Sequence, residues 1–414
     1  MRNFLIVGGG VAGASAGYFL AEFGTVTLLE MEHAPGYHAT GRSAALFSEY
    51  FGNPAVRALT TASRSFLTTP PPGFADGPLL TPRGVLTLCP VGAEEQFAEM
   101  LADGLSAPTP VREIDHDEVH RLCPIVRSGW YSRAMLKPGA MDIDVDALHQ
   151  GFLRGMRARG GQVITSARVR GLFRRDGLWH AVTDAGEFAA PIVVNAAGAW
   201  ADEVAGLAGV RPIGLRPLRR TAFLTDLPED NSLPEDNGLP EDNGLPEDNG
   251  LSEDAELPQG LSAARWPMVT DVADTFYFKP ESGRLLVSPA DATLMPPGDI
   301  RPDDLDIAIG VERLQRATTL EIRSVRHAWA GLRSVVADDT PVVGEAPDAP
   351  GFVWLAALGG YGVQTAPAVG RIVAAAATRT PLDVAYDHLS PERTHLERHG
   401  TPTSRAAFLT ERWK

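Results

Sequence analysis

The first thirty residues, "MRNFLIVGGGVAGASAGYFLAEFGTVTLLE", set out an apolar run, a glycine turn, a small-residue helix, a second apolar run and an acid. Residues 4–7 form a short apolar stretch of the kind that makes a buried parallel strand. Gly8, Gly10 and Gly13 follow it with G-x-G-x-x-G spacing. The first glycine allows the tight turn, the second lets backbone approach a pyrophosphate, and the third lets the helix pack on the strand. The helix predicted over 11–23 begins with Val11 and Ala12, where free N–H groups and the positive dipole end suit phosphate. A second strand over 26–29 ends at Glu30, 22 residues after Gly8. A carboxylate there accepts hydrogen bonds from ribose hydroxyls and repels a 2′-phosphate, which disfavours NADP. A signal peptide or membrane helix is not expected, because glycines and Glu22 interrupt the apolar run and no cationic leader precedes it.

A chain of 414 residues with 44% hydrophobic content suits two domains or one large interleaved unit with a proper core. Cys89 and Cys123 form neither a disulfide scaffold nor a CxxC metal pair, which fits a reducing, cytoplasmic setting. No metal-ligand spacing and no membrane span is expected. The net charge of −15 belongs largely to one segment. Residues 227–256 read "LPEDNSLPEDNGLPEDNGLPEDNGLSEDAE" and hold eleven acids and no Lys or Arg, so the remainder carries −15 + 11 = −4. That balance gives no sign of a nucleic-acid partner. The repeat is too polar to offset its ordering entropy and is expected to be an unpacked surface insertion. Its carboxylates are not spaced as in an EF-hand calcium loop.

The rest of the chain reads as strands at 163–169 and 172–182, the second broken by a hairpin turn at "RRDG", then a buried strand at 192–195 entering a glycine turn and helix. From residue 211 the texture becomes that of an antiparallel sheet, followed by a helix at 311–322. "GFVWLAALGGYGVQT" then returns to strand, glycine turn and helix. These observations predict an α/β protein. A Rossmann-like nucleotide domain would be assembled from 1–88, 140–215 and 331–380. A substrate domain with a mixed, largely antiparallel sheet would come from 89–139 and 216–330, and 381–414 would be a C-terminal tail.

Two further glycine clusters choose the nucleotide. Gly41, Arg42 and Ser43 are expected to open a helix after the Glu30 strand, bringing a guanidinium, a hydroxyl and N–H groups to the same pyrophosphate. Gly359, Gly360 and Gly362 precede a helix beginning near Val363, whose dipole would favour negative charge on a reduced isoalloxazine. Together the three sites favour FAD.

The motifs "VGGGVAGASAGYFL", "PGYHATGRSAA", "VVNAAGAWADEVAGLAG", "FYFKP", "HAWAGLRSVVADD" and "GGYGVQT" resemble the D-amino-acid oxidase superfamily of FAD-dependent oxidoreductases. Within it they are most similar to the bacterial D-arginine dehydrogenase type. The resemblance implies noncovalent FAD and oxidation of an amino acid's Cα–N bond by hydride transfer to flavin N5, giving an imino acid that water hydrolyses. It adds Ala44, Val169, Ala197, Gly198, Tyr361 and Gln364 to the cofactor site. By the same resemblance Arg220 and Arg333 clamp the substrate carboxylate, Tyr277 donates its phenol to it, and the Gly360 carbonyl accepts from the amine.

Departures from that pattern bear on the substrate. Val85 stands where the D-arginine enzymes carry a glutamate for the guanidinium. Leu46 and Phe51 replace a His and a Tyr, while Ser48 keeps a hydroxyl. Glu49 is the one nearby carboxylate that could take over, although a solvated lid glutamate is the expected state. His38 occupies the place where some relatives attach flavin, and the D-arginine type has the same histidine with free FAD. The strand "GRLLVSP" offers Leu285 and no lysine where sarcosine oxidases activate oxygen, so an acceptor other than oxygen is expected. The reading is a D-amino-acid dehydrogenase or oxidase favouring apolar side chains. A secondary-amine or N-methyl amino-acid oxidoreductase is the alternative, and a flavoprotein without catalysis, using the acidic repeat as an interaction arm, is a third.

Overall fold

The structure is a computed structural model that describes residues 2–105, 107–227, 262–382 and 386–393. The acidic repeat from residue 228 onward and most of the tail lie outside the described residues. Two sheets organise the rest. The first has six strands in the order Val342–Glu345, Phe352–Ala356, Ile192–Asn195, Arg2–Val7, Gly24–Leu29 and Gln162–Ile164. All its pairs are parallel except the one between Val342–Glu345 and Phe352–Ala356.

Helices Val11–Leu20, Pro54–Thr68, Val145–Ala158 and Gly362–Thr378 cover one face of this sheet around Tyr18, Phe19, Phe66, Phe74 and Phe152. The other face packs on a three-stranded antiparallel sheet and the short helix Ala201–Leu207. With both faces covered, the parallel strands are apolar throughout rather than alternating. The strands that bring the N-terminal, middle and C-terminal segments together are thus neighbours in space, which is the discontinuous Rossmann-like assembly the sequence implied.

The second sheet has nine strands and is antiparallel except where Val85–Pro90 runs parallel to Met268–Asp271. One face, with Leu86, Leu88, Phe223, Phe278, Leu285 and Val287, packs under helices His116–Leu122 and Asp304–Ala317. The opposite face carries Val85, Met268, Tyr277 and Leu286. Period-two alternation along Tyr277–Glu281 and Arg284–Ser288 therefore decides which residues are core and which face the cavity.

Several local expectations shift. The Val85–Pro90 strand hydrogen-bonds within the nine-stranded sheet, across the boundary expected at residue 88. The strand expected over 163–169 is two pieces, Gln162–Ile164 and Val169–Arg175, because Ser166 between them takes φ 52. The hairpin turn stands as read, with Asp176 and Gly177 both at positive φ. The helix expected over 311–322 runs Asp304–Ala317, capped by Asp303, whose side chain accepts from Leu305 N. No helix opens at Gly41: the segment is a run of turns in which Gly41 N donates to Gly36 O at 2.8 Å. Gly36, at φ +82 against the His149 ring, closes that turn tightly enough to prevent helix initiation.

Candidate active site

A cavity of about 520 Å³ lies between the two sheets. Its lining collects most of the residues that sequence reasoning singled out from distant parts of the chain: Gly8, Gly10, Val11, Ala12 and Glu30, then Arg42, Ser43 and Ala44, Val169, Ala197 and Gly198. Gly359, Gly360, Gly362 and Val363 close one end, and Arg220, Tyr277 and Arg333 form a wall.

The glycine turn is shaped by what it excludes. A Cβ on Gly8 would lie 2.4 Å from Ala196 O, and one on Gly13 would lie 1.9 Å from Gly8 O. Gly8 also takes φ +107, a conformation costly for any L side chain. Gly13 is therefore a packing glycine under the turn, not a cavity residue. Glu30 is buried, and its carboxylate accepts from Gly9 N at 2.8 Å and Glu32 N at 2.9 Å. Burial pushes its pKa up, against the lowering effect of those two N–H donors. The acid thus fixes the loop's shape while remaining on the cavity surface.

Three residues at this end escaped the sequence reading. Thr40 Oγ1 accepts from Val11 N at 2.9 Å and so caps the start of the Val11–Leu20 helix. His149 Nε2 donates to Gly9 O at 2.9 Å, and burial holds its pKa below the ordinary histidine value. Trp200 lines the cavity and meets the His38 ring with centroids 4.7 Å apart. Only the spacing "HATG" after the second strand hinted at Thr40, and the other two depend on tertiary contacts. Arg42 donates to Ala330 O at 2.9 Å and to Ile300 O at 3.1 Å, and pairs with Asp299. It straps the 298–300 loop against the cavity instead of standing ready as a loose cation.

The wall residues come together by strand register. Arg220 lies opposite Gly331, and Arg333 opposite Leu218, on adjacent antiparallel strands. Both guanidiniums therefore project from the same face, next to each other. Arg219 points the other way and bonds Asp306 at 2.6 Å. The Nε and Nη1 of Arg220 are cut off from solvent and have no acceptor among the described residues. Burial, and then the adjacent Arg333, push the Arg220 pKa down. A Cβ on Gly360 would sit 2.9 Å from Arg333 Cζ, so the glycine lets backbone lie flat on the guanidinium. Two cations sharing a water-poor wall, one with orphaned donors, make an anion site.

Other expected residues stand back from the surface. Gly41, Tyr361 and Gln364 are not among the cavity-lining residues. The Gln364 amide accepts from Ser48 N at 3.0 Å and donates to Thr60 Oγ1 at 2.9 Å, tying the 46–51 segment to the helices behind it. Leu46, Phe51 and Val85 also lie off the surface, in one apolar cluster with Tyr277, Met268 and Leu286. Ser48 is buried, bound through its backbone to Gln364. Glu49 is neither solvated nor turned toward the cavity: it is buried and pairs with Arg64, whose Nε lies 3.1 Å from Oε2.

Lys279 pairs with Asp142 and Glu281, each at 2.8 Å. His38 Nε2 lies 2.9 Å from Glu32 Oε1. Among the described residues no helix is long and apolar enough to cross a membrane.

A strand–glycine–helix start that admits no side chain, a second glycine turn at the N-terminus of Gly362–Thr378, and the orphaned Ser334 Oγ on the same cavity fit a dinucleotide with a flavin end. This is the site of a flavin-dependent oxidoreductase acting on a small anionic substrate. The family profile described as FAD dependent oxidoreductase (DAO) matches residues 3–376, and the chain belongs to that family. It is 28% identical over 199 residues to FAD-dependent oxidoreductase domain-containing protein 1 of Bos taurus, covering 44% of this chain and 35% of that one. It is also 28% identical over 211 residues to the mitochondrial dimethylglycine dehydrogenase of Mus musculus, covering 50% of this chain and 24% of that protein. The chain thus spans about a third and a quarter of the lengths of these two relatives. Glycine oxidase from Geobacillus kaustophilus superposes with a TM-score of 0.77 at 20% identity, covering 95% of this chain and 99% of that one. The chain is an FAD-dependent oxidoreductase with the fold of the amine-oxidising flavoproteins.

Proposed function

We propose that this enzyme oxidises the Cα–N bond of D-amino acids with noncovalent FAD, favours apolar over cationic side chains, and passes electrons to an acceptor other than oxygen. The observation that supports this best is the Arg220–Arg333 pair beside Tyr277, with orphaned donors on Arg220. A substrate carboxylate would satisfy those donors, each charge-assisted contact contributing on the order of 1.5–3 kcal/mol. Tyr277 would donate its phenol to the same carboxylate, and the Gly360 carbonyl would accept from the amine, aiming Cα–H at the flavin end. Bound FAD supplies the two-electron acceptor. The glycine turns and Arg42 would hold it, and the engagement of His38 with Glu32 favours a noncovalent cofactor. The imino acid released would hydrolyse to a 2-oxo acid and ammonia.

The D-configuration rests on the resemblance to the D-arginine type, while the side-chain preference departs from it. Val85 replaces the carboxylate expected there, and Glu49 is held by Arg64. A buried cationic side chain without a partner costs several kcal/mol. An apolar one gains roughly 0.8 kcal/mol per buried CH₂. The test is anaerobic flavin reduction across a stereoisomer panel. D-Leu, D-Met or D-Phe should exceed D-Arg in kcat/KM, and Val85→Glu should move preference toward D-Arg. A wild-type preference for D-Arg or D-Lys overturns the apolar reading.

A second reading is oxidation of a secondary or N-methylated amino acid. An arginine pair reads a carboxylate without setting the amine's substitution, and one relative is a dimethylglycine dehydrogenase. Faster reduction by sarcosine or N-methyl amino acids than by any primary D-amino acid selects this reading.

A further inference from the structure

The cavity wall hides a cation that neither the mechanism above nor the family resemblance uses. Lys137 ends the Tyr131–Lys137 strand and pairs in register directly opposite Val85. Residues opposite each other on adjacent strands project from the same face, with Cβ atoms about 4.5–5.5 Å apart. Lys137 therefore belongs to the face that carries Val85, Met268 and Tyr277, on the side of the carboxylate clamp. It is only 4% exposed. Its Nζ lies 4.3 Å from the Tyr50 ring centroid and 5.1 Å from that of Phe51.

Phe51 packs in the cluster of Leu46, Val85 and Tyr277, and Tyr277 in turn lines the cavity. The order outward from the clamp is thus Tyr277, then the apolar layer, then an ammonium seated on two aromatic faces. The carboxylates of the neighbouring segments have other partners: Glu49 holds Arg64, and Asp142, opposite Leu46, holds Arg83 and Lys279.

We propose that Lys137 is a specificity-determining residue that sets the charge preference of the side-chain end of the substrate site. It disfavours amino acids with cationic side chains and admits those ending in a carboxylate. This rests on the reading that an amino-acid carboxylate binds Arg220 and Arg333. It deepens that reading by assigning the charge order to a residue on the strand beside Val85. A side chain extending from the clamp toward Val85 meets the field of Lys137 through a low-dielectric layer. At an effective dielectric of about 20 and a separation near 10 Å, one unit charge on another changes binding by roughly tenfold.

The test uses the FAD-loaded enzyme, with kcat and KM measured for D-Glu, D-Leu and D-Arg, or for the L-isomers if those prove active. Wild type should favour D-Glu over D-Arg. Lys137→Met should lower the D-Glu to D-Arg ratio of kcat/KM by roughly tenfold, chiefly through KM. Lys137→Arg, which keeps the charge, should preserve most of the ratio and covers the case in which the methionine variant fails to fold. Raising ionic strength should compress the ratio little, because the charge is buried.

An unchanged ratio in a folded Lys137→Met enzyme overturns the proposal, as does equal loss for all three substrates. Failure of any amino acid to reduce the wild-type flavin would instead strike the functional reading beneath it. Lys137 is silent in that outcome, so the two failures are distinguishable.

Discussion

Replacing Arg220 with methionine should make the enzyme more stable while removing its grip on substrate. Two Arg220 donors, Nε and Nη1, are buried without an acceptor, and Arg333 repels the group they belong to. The nearby Asp291 offers little relief, since it accepts from Thr221 N at 2.6 Å and Thr221 Oγ1 at 3.1 Å. Each unsatisfied buried donor costs about 1–3 kcal/mol. Exchanging a poorly compensated buried ion for an apolar group of similar length commonly stabilises a protein by about 1–4 kcal/mol. For a chain this long that is a rise of several degrees in Tm at most, because ~1 kcal/mol shifts larger domains by only ~2–4 °C.

Thermal denaturation of the FAD-loaded protein followed by circular dichroism reads the effect. A simple apolar carboxylate such as 4-methylvalerate provides the second half of the test. It should raise the Tm of the wild type and perturb its flavin absorbance, and should do neither in Arg220→Met. A variant that melts lower than wild type and is still stabilised by the carboxylate would show that Arg220 is a structural cation with a partner, and the anion-site argument would fail.

Gly13→Ala should abolish FAD retention or folding, because its Cβ would sit 1.9 Å from Gly8 O with only backbone to yield; flavin content per purified chain measures this. Gly360→Ala pushes on the end of a side chain, 2.9 Å from Arg333 Cζ, so FAD should stay bound while substrate KM rises by roughly tenfold, the scale of one displaced charge-assisted contact. His149, with its pKa lowered by burial, is neutral in the fold where the unfolded chain takes up a proton, so stability should fall as pH drops below about 6.5. Glu30, with its pKa raised by burial, has the opposite sign: its contribution worsens as pH rises through and above ~4.3, so it cannot produce that acid-side loss. His149→Gln, which keeps a donor for Gly9 O, should flatten the fall in Tm between about pH 7 and pH 5.5, and an unchanged slope would assign the loss to other groups.

The N-terminal turn was legible because its causes are local. Gly8, Gly10, Gly13 and Glu30 are tied together by backbone sterics within thirty residues, and such constraints leave a fixed spacing in the chain. The returning strand–glycine–helix pattern at Gly359–Gly362 was readable for the same reason, and so were the buried strand at Ile192–Asn195 and the largely antiparallel texture of the middle. What the linear order could not supply was the partner on the next strand. Lys137 acquires its meaning only from pairing with Val85, fifty-two positions earlier (137 − 85 = 52), and Glu49 only from its contact with Arg64 across a helix turn away from the cavity. Gln364 and Gly41 looked like cofactor ligands by position, yet their hydrogen bonds run to Ser48, Thr60 and Gly36. The physical reason is that a local turn is decided by the atoms it contains. The charge of a pocket is decided by which side chains a sheet's register brings to one face and by which of them other groups have already neutralised.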